Sequence, residues 1–336
     1  MVLTRGPPYI ANNLLNRYER ADTQTPSNSK ERYEPVLIGL CLLRLLSEKR
    51  YQYENSLVEF SHDSSPEANF TFINTESSAF NRMISNLINN AVDALDGKEG
   101  KVEIKLDLIG TDARVVIRDN GKGMPPEVLD KIKNKIQVTS EKKDGHGIGF
   151  SQIHDTLDAS QGQIAIESQV GRGTQITLTF PTVSPPEWMV QEIELNKGDT
   201  IIVLDDDDSI HDAWDIRFKK YGNDLSLQHF TVGEEAIDFI NNFPAKDQIF
   251  LLADFELLNQ GLNGLDVISR AKIERSVLVT SHYNNLKVRE LAIKNGIKIL
   301  PKALAQMVRI EFNTTKWNGD KRSDKKTMKK VDLVFH

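Results

Sequence analysis

The chain has 336 residues, of which 39% are hydrophobic and 27% charged, enough for two ordinary domains with buried cores. A formal charge of −6 argues against a nucleic-acid footprint, which is basic. The only cysteine, Cys41, excludes a disulfide framework or a cysteine-rich metal site and makes reducing cytoplasm the expected compartment.

Residues 9–20 (YIANNLLNRYER) place apolar residues at helical spacing, and residues 21–30 read as a polar loop. Pro35 is expected to open a second helix that runs to about Tyr53. Its apolar run, 36–46, is interrupted by Gly39 and Arg44 and is shorter than the roughly 20 residues that cross a bilayer. A core helix is expected there, with Cys41 as a buried thiol and no membrane segment in this chain. The start, MVLTRGPPYI, lacks the basic onset and apolar centre of a secretion signal. Two helices with one apolar face each require a cover, and a paired chain is the expected one.

Residues 56–183 mix short strands with helices. SLVEF and NFTFI read as strands, 80–95 as a helix, KVEIKLDLI and ARVVIRD as a hairpin, and QIAIES and TQITLTF as strands joined through QVGRG. With no regular helix between strands, an α+β sandwich is expected. Residues 184–199, with Pro185 and Pro186, read as a linker. Over 200–312 five apolar strands alternate with helix-length segments: IIVLDD, LSLQHF, QIFLLAD, SVLVTS and IKIL. That rhythm implies a doubly wound parallel five-stranded sheet, with ligands at the carboxyl ends of its strands. The lysine-rich stretch 313–336 lacks apolar periodicity and ends in VDLVFH, which reads as a strand. Its charge is local, so nucleic-acid binding is the weakest reading.

The helix NRMISNLINNAVDAL sets Asn86 and Asn90 one turn apart on one face. Asparagine is a poor mid-helix residue unless something uses it, and two amide carbonyls suit Mg²⁺ held together with phosphate oxygens. By themselves the pair reads more plainly as an exposed polar face. ARVVIRDNGKGMP then runs a strand into Asp119, Gly121 and Gly123, where backbone can approach a flat ligand and Asp119 can accept from an exocyclic amine. A glycine turn served locally by Asp119 is the plainer alternative. DGHGIGFSQIHDTL sets Gly145, Gly147 and Gly149 before a helix, an anion-binding arrangement with GxGxG rather than dinucleotide spacing. GRGTQITLTF places Gly171, Gly173 and Thr174 before the last strand.

In their order, NLINNA, DNGKGM, GHGIGF and GRGT resemble the asparagine box and three glycine boxes of the histidine kinase ATPase domain, the Bergerat fold. The resemblance implies that Asn86 and Asn90 hold Mg²⁺ with ATP, and that Asp119, with Gly121, Gly123 and Thr174 around it, binds adenine. It further implies that Gly145, Gly147 and Gly149 hinge a lid over the phosphates, from which Lys142 or Lys143 reaches the γ-phosphate. A solvated lysine pair is the alternative for the last two. Hydrolysing relatives carry a glutamate where Asn86 stands, and an amide cannot serve as general base, so phosphoryl transfer is favoured over rapid hydrolysis. The aromatic residue expected before the lid is not evident near Ile136.

Asp205 and Asp206 end one apolar strand and Asp254 another. Parallel strands bring these carboxylates to one edge, where they repel unless a cation such as Mg²⁺ joins them. Thr280 and Lys302 close two further strands. Acidic strand ends merely exposed in loops are the alternative. The set resembles the response-regulator receiver domain, of flavodoxin-like fold, over 200–312. That resemblance implies that Asp254 accepts a phosphoryl group and that Asp205 and Asp206 hold Mg²⁺ beside it. Thr280 would hydrogen-bond the phosphoryl oxygens and Lys302 would neutralise their charge. Ala303 stands where the family usually has proline, and Ile299 where it has a switching aromatic ring.

Together the two halves resemble a hybrid sensor histidine kinase without its phosphorylation box. None of the seven histidines (His62, His146, His154, His211, His229, His282, His336) is followed by the acidic residue and proline of that box. Residues 1–55 resemble the second half of a dimerisation hairpin ending near SEKRYQYE, so a homodimer through these helices is expected. The implied phosphodonor is a histidine-containing phosphotransfer or dimerisation domain. The other expectation is a non-catalytic nucleotide-binding module that acts by docking.

Overall fold

The structure, a computed structural model, describes residues 33–133 and 149–314. The helix expected at 9–20, the lid residues Lys142, Lys143, Gly145, His146 and Gly147, and the stretch beyond residue 314 lie outside the described residues.

The first half runs β1 (Glu34–Leu37), α1 (Ile38–Gln52), β2 (Val58–Ser64), α2 (Pro66–Asn69), β3 (Phe72–Thr75), α3 (Ser77–Ala94), β4 (Gly100–Ile109), β5 (Asp112–Asp119), α4 (Pro126–Lys133), α5 (Gly149–Ala159), β6 (Gln163–Gln169) and β7 (Gly173–Val183). Its sheet has the order β1-β3-β7-β5-β4-β2, with β6 also paired to β7. The β4–β5 hairpin closes on Ile109 opposite Asp112, and Gly110 supplies the φ of +63° that so short a loop requires. Helix α3 buries Phe80, Met83, Ile84, Leu87, Ile88 and Ala91, a stripe at i, i+3 and i+4 spacing. That stripe shares a core with Ile153 and Leu157 of α5 and with Ile104, Val115 and Leu178 of the sheet. A mixed sheet carrying helices is the sandwich expected from the strand pattern.

Three local expectations shift. Pro35 does not open a helix: it lies in β1, an edge strand, where a residue without an N–H leaves no ladder bond unmade, and the helix begins at Ile38. The strand expected from Asn69 begins at Phe72, because Ser65 accepts the Ala68 N–H as an N-cap and Pro66 starts a short helix. The apolar face of α1 finds its cover within this chain, with Ile38, Leu42, Leu45 and Leu46 buried in the same core as α3.

The second half runs β8 (Glu192–Asn196), β9 (Thr200–Leu204), α6 (Asp208–Phe218), β10 (Ser226–Phe230), α7 (Gly233–Asn242), β11 (Ile249–Asp254), α8 (Gly264–Ala271), β12 (Ser276–Thr280), α9 (Leu286–Lys294), β13 (Lys298–Pro301) and β14 (Arg309–Asn313). Strands β10-β9-β11-β12-β13 form a five-stranded parallel sheet in that order. Every residue of β9 and β11 is buried, as continuous apolar strands must be when both faces are covered. Among the described residues no α-helix follows β13. The chain passes a short 3-10 turn over Lys302–Leu304 and returns as β14, which pairs in parallel with β8.

The expected linker is therefore structured. Besides containing β8, it lies along β13: the Ile299 N–H donates to the Trp188 carbonyl at 2.7 Å, and the Val190 N–H to the Ile299 carbonyl at 3.0 Å. The Trp188 ring meets Phe72 edge-on, with centroids 6.3 Å apart, and carries the Arg289 guanidinium at 4.5 Å from its centre. Leu37, Leu40 and Phe70 of the first half join this cluster, so one buried core continues across the joint. Among the described residues no helix is long and apolar enough to cross a membrane.

Candidate functional site

Asp119 ends β5, directly opposite Thr174 of β7. Its Oδ1 accepts from the Gly121 N–H at 2.9 Å and from the Thr174 N–H at 3.3 Å. Burial raises the carboxyl pKa, and the two backbone donors pull it back only in part. The surrounding loops are fastened to one another. Ser168 Oγ accepts from the Met124 N–H at 2.8 Å and lies 2.9 Å from Thr174 Oγ1, while the Gly171 N–H donates to the Lys122 carbonyl at 2.8 Å. The glycines are steric requirements. A Cβ on Gly173 would stand 2.0 Å from the Asp119 carbonyl oxygen, and one on Gly123 would stand 2.1 Å from that of Gln169.

The loop after Asp119 also reaches the asparagine helix. A Cβ on Gly121 would lie 2.5 Å from the Ala94 carbonyl oxygen, which accepts the Lys122 N–H at 2.9 Å, one helical turn beyond Asn90. Half-buried Asn86 lines a groove of about 140 Å³ with Met83, Gln152, Ile153 and Thr156, and Asn90 is exposed. The backbone of Gly149 begins α5, on the far side of that groove. The structure thus brings Asp119, Gly121, Gly123 and Thr174 into one cluster, seated at the end of the helix that carries Asn86 and Asn90. Between these two asparagines stands Asn89, which has a different task. Its Oδ1 accepts from buried Lys49 at 2.7 Å and from the Tyr53 hydroxyl at 3.3 Å, tying α3 to α1. Lys49, a lysine inside an apolar helix, is the one sequence signal of this pairing.

The second cluster sits at the carboxyl ends of the parallel strands. Carboxylate oxygens of Asp205, Asp206 and Asp254 lie within 4.8 Å of one another. The Lys302 ammonium reaches Asp205 Oδ2 and Asp254 Oδ2 at 2.7 Å each. Asp205, Asp254 and Lys302 are buried, and Asp206 is half-buried. Burial, and then the Asp254 charge, push the Asp205 carboxyl up to about 7, and burial raises Asp254 as well. Burial disfavours the Lys302 ammonium, but the charges of Asp254 and Asp205 outweigh it and hold the pKa above the ordinary lysine value. Three carboxylates facing one ammonium are short of positive charge. Hard oxygen donors this close fit a divalent cation of the Mg²⁺ class. Thr280 is buried at the end of β12, and its Oγ1 accepts the His282 N–H at 3.0 Å, which leaves its own O–H to donate. All five residues singled out in this half therefore meet at one edge.

Residues 75–184 match the family described as histidine kinase-, DNA gyrase B- and HSP90-like ATPase. Sensor histidine kinase ZraS of Escherichia coli is 28% identical over 139 residues, 41% of this chain and 28% of ZraS. Sporulation kinase A of Bacillus subtilis is 31% identical over 119 residues, 35% of this chain and 19% of that protein. The chain spans between 17% and 28% of the length of the first curated relatives it matches. The solved structure of full-length ShkA in complex with AMPPNP is 17% identical and covers 89% of this chain and 61% of that one, with a TM-score of 0.39. Residues 75–184 form a histidine kinase-type ATPase domain.

Proposed function

We propose that the chain is the ATP-binding and receiver part of a hybrid histidine kinase, which binds Mg-ATP in its first half and takes a phosphoryl group on Asp254 in its second. The observation that carries this reading is Lys302 bridging Asp205 and Asp254, with Asp206 beside them, in the same chain as a histidine kinase-type ATPase domain. The strand order 2-1-3-4-5, counted from β9, is the flavodoxin-like one and supports a receiver.

In the ATPase half, Asp119 accepts from the adenine amine while Gly121 and Gly123 keep side chains out of the plane of the base. Asn86 and Asn90 offer amide oxygens towards the phosphates, the latter as a metal ligand. Gly149 opens the helix whose N-terminus faces the same charge. Lys143, Gly145 and Gly147 belong to the reading as lid residues. Having no general base at Asn86, the site favours transfer to a protein group over hydrolysis.

In the receiver half, Asp205, Asp206 and Asp254 would hold Mg²⁺, which supplies charge neutralisation for the transferring phosphoryl oxygens. Asp254 attacks phosphorus through a carboxylate oxygen, the P–N bond to the donor histidine breaks, and the phosphoryl group stays on Asp254. Lys302 then turns its ammonium to the added charge, and Thr280 donates its O–H to a phosphoryl oxygen. The donor is a histidine-containing phosphotransfer or dimerisation domain, the chain forms a homodimer, and the setting is the cytoplasm. Incubation of the full chain with acetyl phosphate and Mg²⁺ tests the receiver; label that persists in Asp254→Ala defeats it. Titration with a fluorescent ATP analogue tests the ATPase half, where no binding at millimolar Mg-ATP is the defeating result.

The structured joint favours a second reading, a non-catalytic module in which nucleotide and phosphoryl group alter docking through Trp188. With γ-labelled ATP and a supplied hairpin domain, label on either protein supports the kinase and none supports the docking module.

A further inference from the structure

A chain of side chains outside the residues discussed so far ends on the backbone of the carboxylate cluster. Asp215 Oδ1 of α6 lies 2.8 Å from His229 Nε2 of β10. His229 Nδ1 lies 2.7 Å from His211 Nδ1, and His211 Nε2 lies 2.8 Å from the main-chain oxygen of Asp205. The imidazoles meet edge to face at 88°, with centroids 4.7 Å apart, and His211 is buried. A carbonyl oxygen only accepts, so His211 donates to it through Nε2.

The Asp205 carbonyl shares a planar peptide with the Asp206 nitrogen. The Asp205 N–H is also held, donating to the Phe230 carbonyl at 3.1 Å. Strand β10 and α6 thus fix both main-chain groups of Asp205, and with them the plane from which the Asp206 side chain departs. Asp206 is the half-buried member of the cluster, with no contact to Lys302 among the described ion pairs. Its aim depends on that peptide.

We propose that His211, backed by His229 and Asp215, is a positioning residue that turns the Asp205–Asp206 peptide so that both carboxylates face one divalent cation. This rests on the reading of the cluster as a Mg²⁺ site. A purely structural histidine would fill space and satisfy a carbonyl; a positioning histidine sets the cation affinity as well.

The test is the initial rate of acetyl phosphate labelling of the full chain against Mg²⁺ concentration, with calorimetric Mg²⁺ titration in parallel. His211→Phe keeps the ring and removes the donor, so the half-maximal Mg²⁺ concentration rises about tenfold with the saturating rate within about twofold. His211→Gln returns an N–H near the Nε2 position and restores the requirement to within about threefold of the unsubstituted chain. His229→Ala, at a surface position, gives a rise of about threefold. An unchanged Mg²⁺ requirement in a His211→Phe chain that melts normally overturns the proposal, and so does equal impairment by Phe and Gln, which indicates packing. Should the Phe chain not fold, the Gln and His229→Ala chains decide in the same way. If the unsubstituted chain takes no label, the phosphoacceptor reading fails alone, and calorimetry still decides this one by the same ratios. If it binds no Mg²⁺ either, both fail.

Discussion

The Asp119 pocket and the Asp254 cluster are built on different physics. Around Asp119 the fit is steric: glycines stand where a Cβ would come within 2.5 Å of backbone, and the loops are tied by main-chain bonds. Around Asp254 the fit is electrostatic, with three carboxylates gathered about one buried ammonium. The first should fail when an atom is added, the second when a charge is taken away. Their sequence signatures differ accordingly. Steric sites leave glycines at fixed spacing, and charge clusters leave lone acidic or basic residues at the ends of apolar runs.

The strongest way to break this contrast is Gly173→Ala. Its φ of +96° and a Cβ 2.0 Å from the Asp119 carbonyl oxygen cost roughly 3 to 4 kcal/mol, read as a lowered urea midpoint, together with loss of nucleotide-analogue binding. Lys302→Ala leaves two buried carboxylates facing each other without their cation, a loss of about 3 kcal/mol at neutral pH in metal-free buffer. Millimolar Mg²⁺ should return much of that stability in the same melting experiment, while stabilising the Gly173→Ala chain no more than it stabilises the parent. Asn86→Ala should leave the melting temperature alone and weaken fluorescent ATP-analogue binding by about tenfold, roughly 1.4 kcal/mol.

Asp119→Asn is expected to shift stability only slightly, and the sign of that shift is informative. A carboxyl whose pKa is raised on folding contributes stability that is complete below the ordinary carboxylate pKa and lost as pH rises through the folded value. At neutral pH the buried charge is therefore a cost, and asparagine, which still accepts from Gly121 and Thr174, removes it. The variant should melt slightly above the parent at neutral pH, match it in acid, and lose analogue binding. A neutral-pH melting point below the parent would show that the charge itself holds the loops.

Much of this was legible in the chain because local pattern and final structure agree. The stripe on α3, the alternation in β4 and β5, and the apolar runs of β9 and β11 each describe a face that the fold buries. The carboxylates, Thr280 and Lys302 could be placed because strand ends in a parallel sheet converge whatever the intervening helices do. What could not be read depends on distant partners. Pro35 suits a helix start and an edge strand equally, and only pairing with β3 decides. The IEL of β8 is too short to outweigh two prolines until RIEF of β14 lies beside it. Asn89 looked like its neighbours Asn86 and Asn90, but Lys49 claims it from another helix. The His211–His229 pair is invisible for the same reason, being joined only when α6 packs beside β10.

Mapping the phosphorylated residue decides most. The full chain, treated with acetyl phosphate and Mg²⁺ and then digested for tandem mass spectrometry, should carry one acid-stable, base-labile phosphoryl group on the peptide containing Asp254, absent without Mg²⁺ and absent from Lys302→Ala. A phosphoryl group on any other residue, or labelling that ignores both Mg²⁺ and Lys302, would contradict the electrostatic cluster as a phosphoacceptor site.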